Sequence, residues 1–346
     1  MNFSRFNDAL SRIGIDRFLS LLILAVFAAW LKPEIGSGTG PYSLSSIANY
    51  AISVIFFFYG LKLSKEKFRV GLSNPWLHIL IHVTTFIIFP LVVLAVKPFF
   101  TGDENELLWL GIFYLAALPS TVSSSVVMVS LAQGNIPAAI FNASISSLMG
   151  VFLTPLWMGL VLSGSSGMEP NELTSIIVKL SLQILLPVAL GMFLNRKWGK
   201  FAERHNKQLR LFDQTVILLI IYTSFCESFH ERIFDGLPAS TLLFTGIGMI
   251  ALFFIVYTFV SFMTKLLKFN YADTVTAQFC GSKKSLVHGT AMSKVIFSGF
   301  AGVGVILLPI MFYHAFQLMI VTAIARRKLK KEESIRQEHL ATRQKE

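Results

Sequence analysis

The sequence has 346 residues, of which 54% are hydrophobic and 14% charged, and its formal net charge is +11. A water-facing domain of this size would have about a quarter of its residues charged, so the composition argues against a soluble enzyme or a DNA-binding domain. Apolar blocks of about twenty residues alternate with short charged stretches, and a helix of that length crosses a bilayer. The composition therefore predicts an all-α polytopic membrane protein whose partner is the lipid bilayer and not nucleic acid.

Ten apolar segments are long enough to be transmembrane helices. In chain order they cover residues 14–31, 43–61, 76–96, 107–131, 136–162, 173–194, 212–229, 240–263, 273–297 and 300–325. We call them spans 1 to 10. The first is predicted to remain as an anchor, because no convincing cleavage site follows its apolar part.

The basic residues predict the orientation of the chain. When the spans alternate across the bilayer, most of the 30 Lys and Arg residues fall on one side. Lys and Arg are retained in cytoplasmic loops, so both termini are predicted to be cytoplasmic and the protein to lie in the inner cell membrane. The basic clusters could also bind anionic lipid head groups, although orientation is the simpler interpretation.

Polar features of the first five spans recur in the last five. Pro155 in span 5 corresponds to Pro309 in span 10, and a polar break in span 4 corresponds to one in span 9. An odd number of crossings inverts the second copy, and inverted repeats with broken helices are typical of secondary transporters. We predict repeats over residues 1–170 and 171–325, a basic cytoplasmic tail over 326–346, and a substrate site where the breaks meet.

The break in span 4 combines Pro119 with a cluster of hydroxyl groups. Proline removes a helical hydrogen-bond donor, and hydroxyls can bond either the freed backbone or a ligand. The cluster is therefore either a kink whose hydroxyls bond their own helix or part of a binding site. Its members are Ser120, Thr121, Ser123, Ser124 and Ser125.

The break in span 9 carries Lys283 and Lys284. A lysine at the centre of a span costs about 2.5 to 3.5 kcal/mol on insertion, and such charges usually face a cavity or a counter-ion. On a continuous helix Lys284 and His288 share a face while Lys283 points about 100° away, which predicts different roles for the two lysines. The alternative is that the pair lies in a cytoplasmic loop. Further candidate site residues of this break are Gln278, Ser282, Ser285 and His288.

Three other polar residues lie in apolar spans. Glu227 in span 7 is the most deeply placed acid, and it is a counter-ion of a lysine, a proton carrier or a group at the outer interface. His314 and Gln317 in span 10 either bond within the bundle or line the site. Cys226 and Cys280 are predicted to be free buried thiols, and the sequence indicates no cofactor.

Several motifs together resemble those of the bile acid:sodium symporter superfamily, over nearly the whole chain before the tail. They are the run Phe56 to Leu61, Pro119 followed by Gln133 to Asn135, the Thr154 to Pro155 step and the break from Gly281 to Leu286. The strings Phe279 to Leu286 and Leu308 to Gln317 are similar to a bacterial subgroup related to the seventh human member of solute carrier family ten.

The resemblance implies ten helices in two inverted five-helix repeats. Spans 1, 2, 6 and 7 would form a panel domain and the other six a core domain, in which spans 4 and 9 unwind and cross at the sodium and substrate region. At positions that bind sodium in relatives, this chain has Ser124, Ser125, Gln278 and Thr85, of which only Ser124 matches the family residue. Ser124 and Ser125 are therefore the candidate sodium ligands.

The departures from the family pattern favour another mechanism. A lysine ammonium would replace a bound sodium ion and pair with an anionic solute, and transport would be coupled to protons or to no ion.

The prediction is a secondary active transporter of a small organic anion that works by alternating access and is not an enzyme. An intramembrane enzyme is disfavoured because no paired acids or cluster of metal ligands is predicted at one depth in the membrane. A Ser-Lys hydrolase would require a serine hydroxyl of the first break and the amine of Lys284 to lie in contact. The alternative function is a membrane protein with the transporter fold that regulates ion homeostasis without concentrative transport. The pattern leaves the substrate and the oligomeric state open.

Overall fold

The computed structural model describes residues 17–38, 40, 42–62, 74–100, 103–166, 174–175, 178–179, 181–235 and 238–343. Within these ranges the regular secondary structure is entirely helical, and no strand is present. This confirms the predicted class of an all-α polytopic membrane protein.

Thirteen α-helices follow one another in the described residues. They are α1 (Arg17–Leu31), α2 (Leu44–Leu61), α3 (Pro75–Val83), α4 (Phe89–Ala95), α5 (Asp103–Ala117), α6 (Ser123–Leu131), α7 (Ile136–Ser166), α8 (Leu186–Arg204), α9 (Asn206–His230), α10 (Ala239–Leu266), α11 (Tyr271–Gly281), α12 (Leu286–Ile296) and α13 (Val303–Arg343). Two π-helical turns, Thr84–Ile88 and Ser181–Leu185, join α3 to α4 and precede α8.

Six helical segments of the described chain are long and apolar enough to cross a membrane. They are Leu44–Leu61, Pro75–Phe99, Ile136–Leu162, Asn206–His230, Ala239–Leu266 and Val303–Lys330. They coincide with predicted spans 2, 3, 5, 7, 8 and 10. Two shorter apolar helices, Arg17–Leu31 and Glu106–Ala117, lie where spans 1 and 4 were predicted. The chain is thus a multi-pass membrane protein.

One helix ends later than its predicted span, and another continues into the predicted tail. Span 6 was expected to stop at residue 194, but α8 continues to Arg204. Likewise, α13 continues past residue 325 to Arg343, so the predicted boundary of the tail lies inside a helix. Lys, Arg, Gln and Glu are good helix formers, so a helix can continue after its apolar stretch has ended.

The helices pack in two groups. In the first, α8 packs on α2, and α9 packs on both α1 and α2. The second contains the broken helices, in which α5 and α10 pack on α13, and α11 packs on α3, α7 and α10. Contacts of α9 with α12 and α13 join the two groups.

Glycines permit the closest approach within the first group. A Cβ atom at Gly60 of α2 would collide with the carbonyl group of Val188, and one at Gly191 of α8 would collide with the carbonyl oxygen of Phe57. The two backbones therefore touch where α2 and α8 cross, so any larger residue at either glycine would push the helices apart.

Candidate functional site

The two predicted breaks lie against each other. Residues 118–122 are not helical between α5 and α6, and residues 282–285 are not helical between α11 and α12. The Ser285 amide donates to the carbonyl of Pro119 at 2.9 Å. In the opposite direction, the Ser120 hydroxyl donates to the carbonyl of Cys280 at 2.6 Å. Each break therefore satisfies a backbone carbonyl of the other.

The carbonyl groups at the end of α5 find partners outside their own helix. The last carbonyls of a helix lack intrahelical donors and carry partial negative charge. Here the Thr154 hydroxyl donates to the carbonyl of Ala117 at 2.8 Å. The Lys284 ammonium donates to the carbonyls of Ala116 at 2.6 Å and Leu118 at 2.8 Å. A cation thus lies at the negative end of α5.

A third carbonyl near Lys284 is set free by the π-helical turn. The Phe89 amide bonds the carbonyl of Thr84, five residues back. Thr85 would need the amide of Phe89 or of residue 90 as its donor, but the first is used and Pro90 has no N–H. The carbonyl of Thr85 instead accepts from Lys284 Nζ at 2.7 Å.

Lys284 is fully buried, and its polar groups all have partners. An ammonium has three N–H donors, and three carbonyl oxygens accept them. The ring centroid of Phe89 lies 4.2 Å from Nζ. Gln317 holds the backbone of Lys284 with both amide atoms, since Oε1 accepts from the Lys284 amide at 2.9 Å and Nε2 donates to the Lys284 carbonyl at 2.8 Å. No ammonium proton of Lys284 is left for a solute.

Lys283 is equally buried, but its surroundings differ. Its ammonium donates to the hydroxyl of Ser124 at 2.8 Å, and Ser124 lies in the first turn of α6. The N-terminus of a helix carries partial positive charge. Among the described residues, no carboxylate forms an ion pair with this lysine, and the pairs of Lys62 with Asp213 and of Arg232 with Asp235 do not involve it. The positive charge of Lys283 is therefore not balanced by a described carboxylate.

Both lysine side chains have 0% relative exposure, so the pair does not lie in an exposed loop. The structure also assigns the two lysines to different partners. Lys283 contacts the first turn of α6, whereas Lys284 contacts the end of α5 and the π-helical turn.

The hydroxyls of the first break bond one another and the second break. Thr121 Oγ1 lies 2.9 Å from Ser124 Oγ and 2.8 Å from Ser125 Oγ. Ser120 reaches across to Cys280, as described above. The side chain of Ser123 lies outside the described residues, although its backbone begins α6. The cluster therefore bonds within its own break and also links it to the second break.

Polar residues of the second break mainly support the backbone. The Ser282 hydroxyl donates to the carbonyl of Gln278 at 2.5 Å. Ser285 caps α12, accepting from the His288 amide at 3.3 Å, and its hydroxyl lies 2.9 Å from His288 Nδ1. His288 Nε2 is buried without a hydrogen-bond partner among the described residues. The His288 ring packs against Phe56 of α2, so this free nitrogen lies at the contact between the two helix groups.

The side chains of three other predicted site residues have partners other than the ammonium groups of Lys283 and Lys284. Gln278 Nε2 donates to the hydroxyl of Ser261 at 2.8 Å. The Thr85 hydroxyl donates to the carbonyl of Ile81 in its own helix, so Thr85 contributes its carbonyl to the site. Glu227 interacts electrostatically with Lys294.

His314 supports Gln317 from the same face of α13. His314 Nδ1 lies 3.1 Å from Gln317 Nε2, and His314 is close enough to Lys283 for electrostatic interaction. These two residues of span 10 are thus bonded inside the bundle beside the second break.

The hydroxyls of the candidate sodium ligands have hydrogen-bond partners within the protein. A sodium ion needs several oxygen atoms that converge on one point and carry negative charge or a strong dipole. The hydroxyl of Ser124 instead accepts from an ammonium, and that of Ser125 bonds Thr121. The hydroxyl of Thr85 is used within its own helix. A cation beside Ser124 would also meet the charge of Lys283.

A buried carboxylate that the sequence analysis missed ties three helices together. Asp273 of α11 is 5% exposed and accepts from the side-chain amides of Asn135 at 2.8 Å, Asn74 at 3.0 Å and Asn270 at 3.2 Å. The side-chain oxygen of each asparagine accepts an amide at the start of α7, α3 or α11. The sequence places an asparagine directly before each of these helices. Because asparagine is a common N-cap, this pattern could have predicted the three helix starts.

Broken membrane helices whose breaks meet at buried polar and charged groups are typical of secondary transporters. The chain belongs to the SBF-like CPA transporter family, whose model matches residues 16–330. This confirms the predicted superfamily and the prediction of a transporter that is not an enzyme.

Named relatives share most of their length with this chain. It is 39% identical over 312 residues to an "uncharacterized protein" of Pseudomonas aeruginosa, covering 90% of this chain and 92% of the relative. It is 37% identical over 316 residues to "Putative symporter YfeH" of Escherichia coli, with the same two coverages. "Sodium/bile acid cotransporter 7" of Xenopus tropicalis is 33% identical over 319 residues, covering 90% of this chain and 91% of the relative.

Proposed function

We propose that this protein carries a small organic anion across the inner membrane and that Lys283 binds the anion. The observation that carries the proposal is the amine of Lys283, which is buried beside the first turn of α6 and has no described carboxylate to balance its charge when it is protonated. Removing a charge from water costs several kcal/mol unless it is paired. An anionic solute would supply the missing partner.

Helix ends at the crossing support an anion. Both α6 and α12 begin at a break, at Ser123 and Leu286, and helix N-termini favour negative charge. The hydroxyls of Thr121 and Ser124 lie on the same side as Lys283 and offer hydrogen bonds to a carboxylate, sulfate or phosphate group. The site thus combines one cation with neutral donors.

The proposed coupling ion is a proton and not sodium. A buried ammonium without a partner is costly, so Lys283 would hold its proton when the anion is bound and lose it when the site is empty. One proton would then cross with each anion, and a monoanion would balance the charge on Lys283. The ammonium beside Ser124 also opposes a sodium ion there.

The proposed transport cycle moves one helix group against the other. We assign α1, α2, α8 and α9 to a panel domain and the remaining helices to a core domain, within ten spans and two inverted repeats over residues 1–170 and 171–325. The packing of α8 and α9 on α2 and the mutual contacts of the breaks support this division. Both termini and the tail would be cytoplasmic.

The first test is ligand-induced stabilisation of purified protein in detergent. A panel of short carboxylates, aryl sulfates and phosphate monoesters is added, and Tm is measured, because a ligand that binds the native state raises it. Stabilising anions should lose their effect in Lys283→Met and keep it in Lys97→Met, a matched change of a lysine that contacts Trp109 and lies outside both breaks. Equal stabilisation of both variants would show that the anion binds elsewhere.

The second test measures transport of a stabilising anion into proteoliposomes. We expect uptake to rise when the outside is more acidic and to stay unchanged when sodium is replaced by N-methylglucamine. Strict sodium dependence would contradict the proposed coupling. Binding without uptake in any gradient would instead favour the regulatory alternative.

A further inference from the structure

The surroundings of the Lys284 ammonium have the composition of a binding site for a small cation. Backbone carbonyl oxygens of Thr85, Ala116 and Leu118 lie 2.6 to 2.8 Å from Nζ. The ring of Phe89 covers another side at 4.2 Å. Carbonyl oxygens and aromatic faces are groups that bind monovalent cations in proteins.

The backbone alone makes these carbonyls available. Ala116 and Leu118 stand at the end of α5, where helical donors run out. Thr85 lies in the π-helical turn before Pro90, which has no N–H to offer. The three oxygens would therefore still converge without the lysine side chain, and buried carbonyls without partners are costly.

We infer that these carbonyls and Phe89 form a monovalent-cation site that the chain fills with its own Lys284 ammonium. An external cation binds there only when the amine is removed. The crossing of the helices consequently keeps its structure without a bound inorganic cation. This inference concerns Lys284 alone, so it stands or falls independently of anion binding at Lys283.

Two variants of Lys284 test the inference by the size of the cation that restores stability. Lys284→Met keeps a side chain of nearly the same length but lacks the terminal amine, so the space of Nζ can hold sodium, potassium or ammonium. Lys284→Ala removes the whole stem and leaves space for methylammonium or ethylammonium. Tm of each purified protein is measured at increasing concentrations of each chloride salt, with N-methylglucamine chloride keeping the ionic strength constant.

The expected result is a size-dependent rescue. Both variants should have a lower Tm than wild type in N-methylglucamine chloride. Lys284→Met should gain a saturable rise with at least one small cation and none with ethylammonium, whereas Lys284→Ala should respond to the alkylammonium ions. The Tm of wild type should not change from one of these salts to another, and neither should the Tm of the matched control Lys283→Met, whatever its absolute value.

Three outcomes would overturn the inference. One is a saturable rise of wild-type Tm with sodium or potassium, because the site should already be filled. Another is the absence of any cation-specific rise in both Lys284 variants. The third is failure to recover either variant in every salt, because a suitable cation should restore the fold.

Discussion

Lys283 and Lys284 are buried to the same extent but have different surroundings. Lys284 is bonded to three carbonyls and its backbone is held by Gln317. Lys283 bonds the single hydroxyl of Ser124 among the described residues. A residue with every donor satisfied supports structure, whereas one with spare donors can bind a solute.

Gln317 gives a prediction at the scale of single residues. Gln317→Leu should lower the free energy of unfolding by about 2 to 4 kcal/mol, because the buried amide and carbonyl of Lys284 both lose their partner. Gln278→Leu, which breaks one bond to the Ser261 hydroxyl, should cost only about 1 kcal/mol. Denaturant unfolding in detergent measures both values. A larger loss of unfolding free energy for Gln278→Leu than for Gln317→Leu would contradict the proposed role of Gln317 in holding the backbone of Lys284.

Individual side chains at the site were only partly predictable. The sequence indicated that Lys283 and Lys284 have different roles, and the structure gives them different partners. Thr85 was predicted to contribute its hydroxyl to the site, but its backbone carbonyl is the group that accepts from Lys284. This carbonyl is free because the π-helical turn and Pro90 remove its helical hydrogen-bond donor. A side-chain pattern does not report which backbone groups are free.

At the scale of elements, the cytoplasmic ends predicted for α3, α7 and α11 meet at one carboxylate. Asp273 accepts from Asn74, Asn135 and Asn270, and each asparagine also caps a helix. Bonds to a charged acceptor are stronger than neutral ones. The cluster thus fixes three helix starts relative to one another.

Removing this carboxylate should loosen all three helices. Asp273→Ala is expected to cost about 3 kcal/mol or more, since three side-chain amides lose a charged acceptor that is itself buried. The free energy of unfolding in detergent is the measurement, and hydrogen exchange should rise at the first turns of α3, α7 and α11. Asp235→Ala is the control, because Asp235 is exposed and forms an ion pair with Arg232, which is exposed as well. Unchanged exchange in Asp273→Ala would show that the cluster does not hold these helix starts.

At the scale of the whole molecule, a second contact joins the two helix groups near the predicted outer face. Lys294 of α12 lies 3.4 Å from the hydroxyl of Ser45 in α2 and interacts electrostatically with Glu227 of α9. The core and panel domains that we propose would both contribute to this contact. It would therefore favour the conformation closed on that side.

Breaking the contact should shift the molecule toward an outward-open state. Spin labels at Tyr42 and Phe300, both exposed, would report the distance between the groups after the buried Cys226 and Cys280 are replaced by alanine. Lys294→Met should add a population with longer distances, because an attraction across the interface is lost. Lys97→Met is a matched control, since Lys97 contacts Trp109 within one group. Identical distance distributions for the two variants would contradict the role of Lys294.

The sequence by itself determined the membrane class, the family and the positions of both helix breaks. These features depend on local rules, namely the length of apolar segments, the missing N–H of proline and the cost of buried lysines. The tertiary structure decided which lysine is satisfied, which carbonyls bind it and that Asp273 gathers three helix starts. Those contacts join residues that are far apart in the chain, as for Lys284 with Thr85 and Asp273 with Asn74. The physical reason is that the partners of a polar group depend on how the helices pack, and a periodic pattern along one helix carries no information about its neighbours.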